Sequence, residues 1–295
     1  MRKINDRIKK QRILISDGAW GTMLHGKGLQ PGECPELWNI THPDAVYDIA
    51  HSYIDAGSDI IETNTFGANN YKLAGYGLSQ QQGELNYAGA AISRKAAGTK
   101  LVMGSVGPTG KMLITGEVTE NDLYECYKVQ CMALEQGGVD AIIFETMSDI
   151  DETLAGVKAA KEHTQCEVIC TFTFDKTAGG GYHTMMGITP AAMAKAMIEA
   201  GVDIIGANCG NGIEGMIEIV KEIRTVNTTI PVLVHANAGL PVYSDGKTIF
   251  PHTPQHMAAL IPSLIDAGAS IIGGCCGTTP KHIREMAAKI RTLQF

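Results

Sequence analysis

The sequence predicts an α/β fold, a single (β/α)8 barrel, from three observations. One helix-glycine-strand phrase recurs four times, eight short apolar runs alternate with helical stretches, and 295 residues match the length of eight such units. The phrase reads Asp55-Ala-Gly-Ser-Asp-Ile-Ile61, Glu135-Gln-Gly-Gly-Val-Asp-Ala-Ile-Ile143, Glu199-Ala-Gly-Val-Asp-Ile-Ile205 and Asp266-Ala-Gly-Ala-Ser-Ile-Ile272. Each copy sets a glycine between a run of helical period and a β-branched run, which is how a helix stops and a strand starts.

Taken in order, residues 1–12 carry six basic side chains and read either as a helix closing the barrel bottom or as a solvated charged arm. The expected strands are Ile13–Ser16, Asp59–Thr65, Leu101–Val106, Ala141–Glu145, Val168–Phe174, Ile204–Asn208, Val232–Ala236 and Ile271–Gly274. They are dominated by Ile and Val and lack polar alternation, so both faces are covered, as in a parallel sheet. Between them lie amphipathic helices. Val46, Ile49, Ala50, Tyr53 and Ile54 share one face, as do Leu123, Tyr127, Cys131 and Leu134, and Met193, Ala196 and Met197. An open doubly wound sheet is the runner-up, but the first turn lacks the Gly-x-Gly-x-x-Gly fingerprint. With no linker-like or low-complexity stretch, residues 1–295 read as one domain.

Composition narrows the function. A net charge of −7 with no long basic run argues against nucleic acid, 44% hydrophobic against 19% charged residues excludes disorder, and no apolar run is long enough to span a membrane. The N-terminus lacks the apolar centre of a secretory signal, so a cytoplasmic protein is expected. In that reducing compartment the eight cysteines are small hydrophobes or reagents. Cys126, Cys131, Cys166 and Cys170 read as packing, and Cys34 stays open.

In a barrel of this kind the chemistry stands at the C-terminal strand ends. There the sequence offers Asp17-Gly18-Ala19-Trp20, Glu62, Glu145, Asn208-Cys209-Gly210, Asn237 and Gly273-Gly-Cys275-Cys276-Gly. Two neighbouring cysteines reach one point only where the strand bends, which the glycines at 210, 273, 274 and 277 permit. Three thiolates suit Zn2+, and three protein ligands with an open fourth position describe a catalytic site. A redox vicinal disulfide is the alternative, although it leaves Cys209 and Asn237 unexplained.

The motifs Asp17-Gly-Ala-Trp-Gly-Thr22, Glu62-Thr-Asn-Thr-Phe66, Ser105-Val-Gly-Pro-Thr109, Phe144-Glu-Thr146, Asn208-Cys-Gly210, Asn237-Ala-Gly-Leu-Pro241 and Gly273-Gly-Cys-Cys-Gly-Thr-Thr-Pro280 occur in that order along the whole chain. Together they resemble the homocysteine S-methyltransferase family, most of all the homocysteine-binding module of cobalamin-dependent methionine synthase. The resemblance implies a zinc-dependent (β/α)8 barrel with Cys209, Cys275 and Cys276 as zinc ligands and Asn237 as a possible fourth. It implies that Asp17 and Glu145 take the substrate ammonium, that the amides of Gly18, Ala19 and Trp20 take its carboxylate, and that Ser105 belongs to the same pocket. Glu62 acts in the pocket or braces loops. Position 20 is Trp where the module commonly has Met. Either the ring reshapes the pocket or donor face, or only its amide is used and the ring packs on a loop.

One barrel occupies all 295 residues, so the methyl donor is expected from outside the chain. A methylcorrinoid such as methylcobalamin on a separate protein is preferred, with S-methylmethionine, S-adenosylmethionine or a betaine as alternatives. Long rim segments at 66–80, 110–122, 175–187 and 240–256 could cover a small donor or receive a partner domain. Readings of another class are a zinc hydrolase or aldolase, using His183 or His235, and a non-catalytic zinc-binding partner module. Homo-oligomers are compatible with the sequence.

Overall fold

The computed structural model describes residues 3–244 and 247–293. Eight parallel strands form a nearly closed barrel: β1 (Leu14–Ile15), β2 (Ile60–Glu62), β3 (Leu101–Val106), β4 (Ala141–Met147), β5 (Glu167–Phe172), β6 (Ile204–Asn208), β7 (Val232–Ala236) and β8 (Ile271–Gly274). Every neighbouring pair from β2 round to β8 and on to β1 is hydrogen-bonded as a ladder. At the seam between β1 and β2 the link is a single backbone bond, Asp59 N to Ile15 O at 2.7 Å, answered by Ile15 N donating to Asp59 Oδ2 at 3.2 Å.

That two-pronged contact explains the repeated phrase. Asp140 N donates to Val102 O at 2.8 Å while its carboxylate accepts from Val102 N at 2.9 Å. Asp203 does the same to Val168, at 2.9 and 3.0 Å. In the fourth copy Ser270 keeps the backbone prong, donating to Val232 O at 2.8 Å. Each aspartate thus fixes the entry of an even-numbered strand beside the strand before it, satisfying a donor at the ladder's end that would otherwise be buried and unpaired.

Among the described residues, nine helices of nine residues or more complete the frame: α1 (Lys3–Gln11), then α2 (Pro43–Ala56), α3 (Gln82–Ala97), α4 (Glu120–Gln136), α5 (Ile150–His163), α6 (Pro190–Glu199), α7 (Ile213–Val226), α8 (Pro254–Ala267) and α9 (Pro280–Thr292). The last eight wrap the barrel and share one apolar layer with its outer face, including Val46, Ile49, Tyr53, Leu123, Tyr127, Cys131, Met193 and Met197. Inside the barrel, Leu14, Ile60, Leu101, Met103, Ala141, Ile143, Ile169, Ile204, Leu233 and Ile271 form a separate packed cluster. Of the two readings of the N-terminus, residues 3–11 take the helical one. Ile4 is fully buried against the interior cluster, and Glu167 at the start of β5 accepts from Ile4 N (2.6 Å), Asn5 N (3.1 Å) and Asn5 Nδ2 (2.6 Å).

Four strands end elsewhere than the apolar runs suggest. β1 has only two residues, and β2 stops at Glu62 because Thr63 and Thr65 turn inward, their hydroxyls 2.6 Å apart, with Thr65 Oγ1 donating to Ser105 O. β5 starts at Glu167 and ends at Phe172. β4 runs on to Met147, with its register against β5 shifted between Phe144 and Met147. That irregularity lies at Glu145. Cys126, Cys131 and Cys170 are buried as expected, and Cys166 is half-buried. Cys34 is also buried, beside Leu73 and Leu85, with its thiol donating to Glu36 Oε2 at 3.3 Å. No described helix is long and apolar enough to cross a membrane.

Candidate active site

A cavity of about 350 Å3 opens at the C-terminal end of the barrel, lined among others by Gly18–Thr22, Glu62–Phe66, Ser105, Glu145, Cys209, His235 and Cys275–Cys276. Strand ends supply nearly all of this lining, as barrel geometry dictates. The residues come from the ends of β1–β4 and β6–β8 and the loops beyond them, far apart in sequence.

The three thiols form one wall. Cys209 Sγ lies 3.9 Å from Cys276 Sγ, Cys275 Sγ lies 4.0 Å from Cys276 Sγ, and all three lie within 4.8 Å of one another. Sulfurs bound tetrahedrally at ~2.3 Å from Zn2+ stand ~3.8 Å apart, so this spacing fits such an ion. β8 ends at Gly274, so Cys275 and Cys276 lie in the turn beyond the strand, where Thr278 N donates back to Cys275 O and Gly277 has φ +80°. On the facing loop the bend falls partly on Cys209 itself, at φ +59°, a conformation uncommon for a residue with a Cβ. Hydrogen bonds from the Cys275 and Cys276 thiols hold the Cys209 thiol far below the ordinary range. The same contacts push Cys275 and Cys276 up. Asn237 also hydrogen-bonds Cys209, while its Oδ1 is buried with no partner. An orphaned carbonyl oxygen beside three thiols is a donor set that suits a zinc ion with an exchangeable fourth ligand.

Opposite the sulfurs stand carboxylates. Glu145 accepts a very short hydrogen bond from Ser105 Oγ and a second from Asn208 Nδ2 at 3.3 Å. The next residue, Thr146, is β-branched yet has φ +58°. Asn208 holds it there, accepting from Thr146 N and donating to Thr146 Oγ1, each at 2.7 Å. Glu62 also lines the cavity, and its Oε1 is buried without a hydrogen bond, 3.3 Å from His235 Nδ1 but outside bonding geometry. Burial pushes both Glu62 and Glu145 well above the usual carboxylate range, and their neighbouring carboxylates push them further. His235 is driven the other way by burial.

Asp17 lies behind this wall rather than on it. It is fully buried, and its carboxylate accepts from Glu62 N (2.8 Å), Trp20 Nε1 (3.0 Å) and Ser16 Oγ (3.1 Å), so it ties the first loop to β2 across the barrel seam. Burial raises it, while His235 and these donors pull it down. The Trp20 ring therefore belongs to the site twice, as cavity lining and as a donor to Asp17. Of the three loop amides, Ala19 N is engaged by Thr278 Oγ1 at 3.1 Å. Thr278 also donates to Cys275 O at 2.7 Å, and Tyr53 OH donates to Ala19 O at 2.7 Å.

The structure thus brings Gly18, Ala19, Trp20, Ser105, Glu145, Cys209, Cys275 and Cys276 to one cavity, with Asp17 and Asn237 just behind its surface. His235, which the sequence offered for the hydrolase or aldolase alternative, lines the cavity, and the bridging role of Thr278 is not evident in the sequence. His235 stands two residues before the Asn237 motif and Thr278 lies inside the Gly273–Pro280 motif, and that placement is the available signal.

Comparison with known proteins agrees with this geometry. A family model described as homocysteine S-methyltransferase matches residues 14–290. The methionine synthase of Mycobacterium tuberculosis (strain ATCC 25618 / H37Rv) is 33% identical over 306 residues, covering 97% of this chain and 25% of that protein. The methionine synthase of Mycobacterium leprae (strain TN) is 33% identical, covering 95% and 24%. The chain therefore spans about a quarter of the length of these relatives. Among solved structures, the metallated form of the homocysteine methyltransferase MmuM from Escherichia coli superposes with a TM-score of 0.80 at 25% identity, covering 96% of this chain and 98% of that one. A match across nearly the whole barrel places the chain in the homocysteine S-methyltransferase family.

Proposed function

We propose that the chain methylates the sulfur of homocysteine to give methionine, with Zn2+ held by Cys209, Cys275 and Cys276 and the methyl group supplied by a methylcorrinoid on a separate protein. The observation that carries this reading is the meeting of three thiols on the wall of a cavity that also holds Glu62 and Glu145. Zinc in that position, with Asn237 as an exchangeable fourth ligand, would bind the substrate sulfur as a thiolate, which at neutral pH a free thiol of pKa ~8.5 rarely is.

The chain's own residues supply recognition. Glu145, oriented by Ser105 and Asn208, and Glu62, whose backbone Asp17 holds, offer two carboxylates to the substrate ammonium. A cation entering there offsets the burial and the neighbouring carboxylates that raise both groups above the usual carboxylate range. Amides of the Gly18–Trp20 loop face the substrate carboxylate, with Ala19 N released from Thr278 as it binds. Transfer forms one sulfur–carbon bond and breaks the donor–methyl bond, with the donor keeping the electron pair. The protein therefore needs in-line positioning and dry walls, and the Trp20 and Phe66 rings provide apolar lining.

The corrinoid donor is supported by the rim. Met112, Ile114, Met185, Leu240, Val242, Tyr243 and Ile249 are exposed on the segments that follow β3, β5 and β7, and Ile114, Met185 and Tyr243 are each 77–80% exposed. Apolar side chains on the open face of the site suit a large partner better than water. The working compartment we propose is the reducing cytoplasm, where the three thiols stay free for metal.

The test is methionine formation from homocysteine with each donor in turn, together with the zinc content of anaerobically purified protein. Turnover with a methylcorrinoid protein and one zinc per chain is expected. Turnover with S-methylmethionine alone overturns the donor assignment. Zinc-free active protein overturns the thiol mechanism.

A further inference from the structure

We propose that Glu214, His252 and His256 form a second divalent transition-metal site, of the Zn2+ class, on the rim outside the thiol cavity. The three side chains come from two elements. Glu214 lies in the first turn of α7, His252 just precedes α8 and His256 lies in its first turn. His256 Nε2 is 2.7 Å from Glu214 Oε1, and His252 Nδ1 is 3.8 Å from Glu214 Oε2. Nitrogen and oxygen ligands of a tetrahedral zinc at ~2.0 Å stand ~3.3 Å apart, and the two observed separations bracket that value. The two imidazoles face one another with ring centroids 4.3 Å apart. Two imidazoles and one carboxylate are a ligand set for zinc with open positions left for water.

A second observation points the same way. His252 Nδ1 is buried from solvent and has no hydrogen-bond partner, although it faces a carboxylate. The ring is held in a prepared slot, since a Cβ on Gly212 would come within 2.9 Å of its Cε1 and one on Gly239 within 2.7 Å of its Cδ2. The backbone of His252 is pinned on both sides, donating to Ala238 O at 2.9 Å and accepting from His282 Nε2 at 3.0 Å. A residue this constrained leaves an unused imidazole nitrogen at one fixed point, which is the usual condition of a ligand awaiting its ion. An ion there would tie the start of α7, two residues after Asn211, to the end of the 240–252 excursion. Asn211 O accepts from Asn237 N at 3.0 Å, so the brace would stand directly behind the loops carrying Cys209 and Asn237.

The test uses tag-free, reduced full-length protein whose thiol site is first filled with one equivalent of Zn2+, then titrated with Co2+. Uptake of one equivalent showing d–d bands without sulfur-to-cobalt charge transfer is expected. His252→Ala and Glu214→Gln should each weaken that uptake at least about tenfold, with unchanged far-UV circular dichroism. Glu214→Gln, an exposed and nearly isosteric change, guards against misfolding of the histidine variant. Absence of a second equivalent in molar excess of Co2+, or uptake indifferent to both substitutions, overturns the site. Neither result depends on whether homocysteine is the substrate.

Discussion

At the scale of single residues, the site concentrates unfavourable arrangements that only ligands relieve. Three thiols, two buried carboxylates of which Glu62 has an unpartnered oxygen, and two non-glycine residues at positive φ stand around one cavity. Cys276→Ala should reduce zinc content well below one per chain and methyl transfer by at least ~100-fold, more than an outer-shell change costs, checked by metal analysis and turnover. Glu145→Gln should act mainly through KM for homocysteine. Losing one charge-assisted hydrogen bond corresponds to ~10–150-fold, with kcat much less affected. Glu62 gives a pH prediction of definite sign. Its pKa is raised on folding, so from the ordinary carboxyl range up to its folded pKa the native state holds more protons than the unfolded one, and stability falls as pH rises through that window. Glu62→Gln removes this penalty. The substrate-free variant should melt about 2–5 °C higher than the parent at pH 8 and equally at pH 4, while binding homocysteine more weakly. An unchanged melting difference between the two pH values, by calorimetry, would contradict the raised pKa.

At the scale of elements, the repeated Gly-x-Asp phrase turns from a marker of strand starts into a structural clamp. Asp140 serves three partners, accepting from Val102 N at 2.9 Å, Lys3 Nζ at 2.7 Å and Arg94 Nη1 at 2.9 Å, with its own side chain nearly buried. Asp140→Ala leaves the buried Val102 amide without its side-chain acceptor and the Arg94 guanidinium without its carboxylate, although Arg94 still donates to Gly98 O and Lys100 O. It should destabilise the barrel by ~2–4 kcal/mol without changing KM, read by urea unfolding alongside kinetics. The end positions of β2 and β4 show why strand limits were legible only approximately. β2 stops short of its expected end at Thr65 because Thr63–Thr65 hydroxyl bonds turn it inward, and β4 runs past its expected end at Glu145 to Met147, distorted where Asn208 clamps Thr146. The Asn208–Thr146 bonds join residues 62 positions apart, and Thr65 is held to Ser105 O across 40, which no local pattern records.

For the whole molecule, one barrel end carries the chemistry and the other carries closure. α1 seals the bottom through Ile4 and the Glu167 cap, while the top stays open between apolar rim loops. If a protein donor docks there, Ile114→Glu and Tyr243→Glu together should slow transfer from a methylcorrinoid protein at least about tenfold. They should leave transfer from a small methyl donor, where any occurs, unaltered. Equal slowing with both donor types would instead place these side chains in the substrate path.

The sequence by itself determined the barrel, the strand order, the cysteine trio and the family motifs. Period and composition are local, and each motif sits at a strand end that topology sends to one rim. Only the tertiary structure decided which carboxylates face the cavity. Asp17 and Glu62 both follow apolar strands and look alike in sequence. The nearly unlaced seam between β1 and β2 leaves Glu62 N free to take the Asp17 carboxylate, drawing Asp17 behind the wall and leaving Glu62 beside His235. A hydrogen bond between residues 45 apart, formed because a barrel must close on itself, made that choice.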